Sequence, residues 1–107
     1  MDEEELAILD ALIDWVKEIL PDLVCEVLDD TLQIRSGDYS VVMAKISENG
    51  ICIDDEEIGW TRSDIQREFQ RLVLVNTSRQ NPHLMLSNKK FFDAWTHIMT
   101  QDVSRGN

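Results

Sequence analysis

The apolar residues of this chain keep two different periods, and the change from one to the other at Pro21 is the feature that most constrains its fold. Up to Pro21, Ile8, Leu9, Leu12, Ile13, Val16, Ile19 and Leu20 recur at steps of three and four, which predicts an amphipathic helix over residues 3–20. Asp2 is placed to cap it, with Glu5 three residues on to complete a capping box. Pro21 stops it, because a residue preceding proline is pushed out of the α region. The opposite face of this helix carries Glu3, Asp10, Asp14, Lys17 and Glu18.

After Pro21 the period drops to two. Residues 23–28, 31–35, 39–46 and 51–54 read as short strands rich in branched side chains. Asp29-Asp30, Ser36-Gly37-Asp38 and Ser47-Glu48-Asn49-Gly50 are the turns between them. Connections this short make hairpins and leave no room for parallel crossovers. The helical period then returns. Thr61 and Asp64 form a capping signature, and Trp60 and Ile65 stand at the positions of a hydrophobic staple. Ile65, Phe69, Leu72, Val73 and Asn76 mark the inner face of this second helix, although Leu72–Val75 alone would also suit a strand. Asn81-Pro82-His83 breaks the chain. A last helix begins after Ser87 or Asn88, with Phe91, Phe92, Trp95, Ile98 and Met99 as its apolar stripe, and residues 102–107 read as a frayed tail.

The expectation is an α+β fold: an N-terminal helix, a three- to four-stranded antiparallel meander, and two C-terminal helices packed on one face of the sheet. A length of 107 residues makes residues 1–107 a single domain. At that size roughly 65% of the unfolded surface is buried on folding, enough for a core without a metal or disulfide staple. Cys25 and Cys52 read as small buried thiols of a reducing compartment, with a bridge between neighbouring strands as the competing assignment. The acidic start, Asp2 to Glu5, is unlike a secretory or transit segment, and no apolar run approaches a membrane span. The expected location is cytoplasmic, away from membranes.

Charge is distributed unevenly. Residues 1–30 carry a net −10, residues 31–60 a net −4 and residues 61–107 a net +3, giving the chain −11. Two acidic stretches stand out. The first is the polar face of the N-terminal helix, with Asp10, Asp14 and Glu18 beside Trp15 at the edge of the apolar arc. The second is Asp54-Asp55-Glu56-Glu57, followed by Trp60. The tetrad is not a calcium loop, since it lacks alternate-position ligands, a central glycine and a distal glutamate. Nor is the helix a full mimic of nucleic acid. Duplex DNA carries one negative charge per ~1.7 Å of axis. The seven acids from Asp2 to Glu18 cover about 24 Å of helix, one per roughly 3.5 Å.

Other chemistry lacks its parts. Two Cys and two His scattered over four elements show no zinc spacing, and the four glycines are dispersed turn residues rather than a phosphate loop. Pro21-Asp22 and Lys45 are reminiscent of a metal-dependent nuclease core, but Met43 stands where its second acid must be. No cofactor and no metal are expected. Asp93 and His97, four apart on the last helix, could form an acid–base pair, but no nucleophile is placed to complete a site. The basic residues Arg62, Arg67, Arg71, Arg79, Lys89 and Lys90 are better read as partners for the acidic half than as a footprint for nucleic acid.

The function expected from these residues is non-enzymatic: an acidic protein-binding module that inhibits a partner by occupying its basic, nucleic-acid-binding site. Phage anti-defence proteins (anti-CRISPR-like) and toxin-immunity proteins act in this way, and the analogy rests on charge and size. The expected partner is a protein with a basic surface, such as a nuclease or nucleic-acid-handling complex. The residues expected to meet it are Asp10, Asp14, Trp15, Glu18, Asp54, Asp55, Glu56, Glu57 and Trp60. The alternative is a small acidic chaperone or adaptor that binds an extended segment of its partner, with a homodimer as one form of either.

Overall fold

The computed structural model describes residues 3–105. Its elements run α1 (Glu3–Ile19), β1 (Val24–Leu28), β2 (Thr31–Ser36), β3 (Tyr39–Ser47), β4 (Gly50–Ile53), β5 (Glu56–Gly59), α2 (Arg62–Gln80), α3 (Leu84–Ser87) and α4 (Lys89–Arg105). The expected α+β order holds. Asp2, assigned as the cap of α1, lies outside the described residues, and the expected tail is helical as far as Arg105.

The sheet has five antiparallel strands in the order β1-β2-β3-β4-β5, one more than the upper expectation. The additional strand begins inside the acidic tetrad. Asp54 and Asp55 both have positive φ (49° and 72°) and close a two-residue hairpin, so the chain returns at once as Glu56–Gly59. That conformation matches the right-handed twist of the flanking strands. The other hairpins also close over two residues: Asp29-Asp30, Gly37-Asp38 and Glu48-Asn49. Where β4 meets β5 the backbones come very close. A Cβ added to Gly50 (φ 138°) would lie 2.3 Å from backbone atoms of Gly59, so only glycine fits there.

One face of the sheet is apolar and covered. Leu32, Ala44 and Ile53 form a cross-strand row, with Ile34–Val42 and Ile46–Ile51 beside it, and all seven are buried. Helix α2 lies over β3, β4 and β5, while α1 and α4 pack against α2. They contribute Leu9, Leu12 and Val16 from α1, Ile65, Phe69, Val73 and Leu74 from α2, and Phe91 and Ile98 from α4. Each such side chain adds about 1.5–3 kcal/mol when fully buried. Leu72–Val75 is helical: sandwiched between sheet and helices, α2 buries too wide an arc for its period to be distinctive. The stripe of α4 is narrower than expected, because Phe92 is exposed and Trp95 only half-buried, its ring 6.5 Å from that of Phe91.

Two asparagines join these layers. Val41 is an extra residue on β3, inserted where the β2–β3 register shifts, and its carbonyl accepts from Asn76 Nδ2 at 2.7 Å. Asn76 thus earns its place on the inner face of α2 by satisfying a bulge. Asn88 Oδ1 accepts from the N–H of Phe91 at 3.0 Å and so caps α4, while its Nδ2 donates to the carbonyl of Ile19 at 3.0 Å. Between α2 and Asn88 the break at Asn81-Pro82-His83 is followed by α3, a single turn that the sequence period does not reveal.

Candidate functional site

The cleft at the amino end of α1 is built by three segments. Strand β5 ends at Gly59, whose φ of 94° turns the chain, and Trp60 follows immediately. Thr61 is the N-cap of α2 in extended conformation, and its carbonyl accepts from the N–H of Ile65 at 3.0 Å. Its side chain makes no capping bond, and Asp64 pairs with Arg67 at 2.9 Å. The indole of Trp60 is 42% exposed while Ile65 is fully buried. Trp60 walls a cleft of about 300 Å³ with Glu4, Glu5, Ile8 and Arg62. An amphipathic ring is thus set among carboxylates from the first turn of α1, with one guanidinium at the margin.

The remaining predicted residues fall in two other places. Trp15 is half-buried against the core, and with Glu18 it borders a shallow groove of about 330 Å³ between α1 and α4. Asp93 and His97 face the same groove, with Lys90 beside them. Asp93 accepts from Lys89 at 3.1 Å. Asp10 and Asp14 are exposed along α1.

The acidic tetrad does not act as one cluster. Asp54 is held against β3: its Oδ1 accepts from the N–H of Met43 at 3.0 Å, and its own N–H donates to the Met43 carbonyl at 2.9 Å. Asp54 and Asp55 border a depression on the open face of the sheet, near Met43, Lys45 and Cys52. Glu56 stands opposite Ile53 and Glu57 opposite Cys52, so the two glutamates emerge on different faces of an edge strand. All four are exposed.

Three basic residues of the C-terminal half pair close to home. Arg67 meets Asp64, Arg71 meets Glu68 and Lys89 meets Asp93, each pair within a single helix, and Arg35 meets Glu26 across β1 and β2. None of these four pairs reaches the acids of α1 or the tetrad. Cys25 lies on β1 and Cys52 on β4, with two strands between them, and both are free thiols. Burial pushes the Cys25 thiol up from its ordinary value, with Lys17 acting in the opposite direction. Among the described residues no three of His, Cys, Asp and Glu converge so as to hold a metal ion. Among the same residues no helix is long and apolar enough to cross a membrane.

Sequence reasoning named Trp60 but not the residues it meets. Glu4 and Glu5 join it only because α1 packs beside the start of α2, a tertiary proximity that a run of N-terminal acids does not announce. Compared with protein-family models, characterised proteins and solved structures, the chain shows no match.

Proposed function

We propose that this protein is a non-enzymatic, acidic protein-binding module that inhibits a partner by occupying a basic, nucleic-acid-binding surface. The observation that carries this reading is the position of Trp60: a half-exposed indole among Glu4 and Glu5, next to the exposed acids of β5. Interfaces are anchored by a few aromatic residues in partly enclosed pockets. Acidic rims steer encounter with a basic partner and fix its register. Trp60 would supply affinity, while Glu4, Glu5, Glu56 and Glu57 would supply attraction, with Asp10, Asp14 and Glu18 extending the field along α1.

The test is affinity capture from the native host with the wild-type chain, Trp60→Ala, and a double Glu4→Lys, Glu5→Lys variant. A basic protein retained by the wild type, lost with Trp60→Ala and released by salt supports the reading. Retention that is unchanged in both variants and insensitive to salt refutes it.

A specific observation also favours the adaptor reading. Strand β1 is an edge strand, and Val24, Val27 and Leu28 on it are 40–67% exposed. An edge with exposed apolar side chains is a template for an added strand. On that reading a proline at Val27 abolishes capture and Trp60→Ala does not.

A further inference from the structure

The sheet ends in two edges of opposite character. Strand β5 carries the exposed glutamates Glu56 and Glu57, and charge of this kind blunts an edge against strand addition. Strand β1 carries the exposed apolar side chains of Val24, Val27 and Leu28. Among the described residues β2 is the only strand that pairs with it. The backbone of β1 is also positioned to pair further. The carbonyl of Asp30 accepts from the N–H of Ile46 on β3 at 2.9 Å, so the backbone groups of Thr31 turn the other way, towards Leu28 across the two-residue turn. Alternation along the strand then aims the N–H and C=O of Cys25 and Val27 away from the sheet, in its plane.

We infer that β1 accepts an extended segment of another protein in which lysine or arginine alternates with apolar residues. The inference rests on reading the chain as a protein-binding module, and it names the chemistry of the segment bound. Charge decides the occupant. Residues 22–30 hold Asp22, Glu26, Asp29 and Asp30 and no lysine or arginine. Asp22 and Asp29 are exposed, and Glu26 keeps 40% of its side chain exposed although it pairs with Arg35. A second copy of this strand is a poor occupant. Antiparallel pairing about the centre of β1 would set Glu26 opposite Glu26 and bring the flanking aspartates of both copies together, and like charges directly opposite destabilise a pair. A basic segment turns those repulsions into attractions. Register divides the roles of its two rows. Cys25 and Val27 stand opposite the buried Ile34 and Leu32, on the helix-covered face, while Val24, Glu26 and Leu28 lie on the open face. An added strand whose apolar row lies beside Cys25 and Val27 extends the core. Its basic row then falls beside Glu26, with methylene stems over Val24 and Leu28.

The test titrates the full chain with an end-capped peptide of alternating lysine and valine, about as long as residues 22–30. Peptides of the same length that alternate lysine with glycine, or glutamate with valine, separate charge from strand pairing. Backbone amide shifts and hydrogen exchange locate the binding. The lysine–valine peptide should give saturable shifts centred on Val24–Leu28 and slow the exchange of the Cys25 and Val27 amides. Val27→Pro removes an outward N–H and should weaken binding about tenfold. Val27→Lys, a change at an exposed position that leaves the ladder to β2 intact, should weaken it to a similar degree. Trp60→Ala should leave it unchanged. Equal affinity for either control peptide, shifts centred on Trp60 or β5, or undiminished affinity in Val27→Lys would overturn the inference. So would a dimer of the free chain that Val27→Lys dissociates. Capture of a basic protein that depends on Trp60 while β1 stays silent overturns this inference alone and leaves the proposed function standing.

Discussion

The side-chain amide of Asn88 donates to the backbone carbonyl of Ile19 at 3.0 Å, joining the end of the first helix to the start of the last across 69 residues of sequence. The same side chain caps α4 through the N–H of Phe91. One residue therefore satisfies an orphan acceptor and an orphan donor at two helix termini.

Replacing it separates the two bonds. Asn88→Ala removes both and is expected to cost about 2–3 kcal/mol of stability, the sum of a lost cap and an orphaned carbonyl. Asn88→Ser keeps a capping oxygen and should cost about half as much. Urea unfolding of the three proteins measures this, and equal losses for Ala and Ser would show that the link to Ile19 carries the whole effect.

Gly50→Ala should be among the most damaging single substitutions. Its Cβ would meet the Gly59 backbone at 2.3 Å, and its φ of 138° is one that side chains rarely adopt. A loss of about 3 kcal/mol follows from strain plus displacement of β5. Thermal unfolding with Gly37→Ala as a control checks it, since a Cβ at Gly37 meets nothing within 4 Å although its φ is also positive.

Trp60→Ala should change stability little, by about 1 kcal/mol or less, because the indole is largely outside the core. Its effect belongs to binding, where loss of an aromatic anchor costs about 2 kcal/mol or more. Chemical denaturation and partner titration on the same variant must therefore diverge. A large stability loss would place Trp60 in the fold rather than in the interface.

Thr77→Val should stabilise the protein by about 1 kcal/mol, since it removes a buried hydroxyl that lacks a partner without changing side-chain shape. A loss of stability by calorimetry would mean that the hydroxyl is already satisfied.

Cys25 gives stability an alkaline slope. Its thiol titrates above its ordinary value in the folded chain, chiefly through burial. The folded state thus holds this proton more tightly than the unfolded state. The contribution is complete below the unfolded value and is lost as pH rises from there through the folded one. Unfolding free energies measured from neutral pH upward should fall more steeply for the wild type than for Cys25→Ser.

Much of the architecture was legible because the periods change at Pro21 and again near Thr61. The fifth strand was not. Asp54 and Asp55 take left-handed conformations, and an aspartate doublet inside a run of acids looks like solvated loop rather than a tight hairpin. Asn76 could be placed on the inner face of its helix, but its partner, the Val41 carbonyl, exists only because β3 carries a bulge. Trp60 could be placed just ahead of α2, but Glu4 and Glu5, which line the same cleft, reach it from the first turn of α1 by packing between distant segments.

The hairpins with two-residue turns have a kinetic consequence. Every strand from Val24 to Gly59 pairs with its neighbour in sequence, so the whole sheet can assemble by successive short-range zippering. Loop-closure entropy is then small for these steps, and chains with such local pairing fold fast for their strand content. The slow step is left to the helices. Docking α1 against α4, sealed by Asn88, must wait until nearly the entire chain is in place.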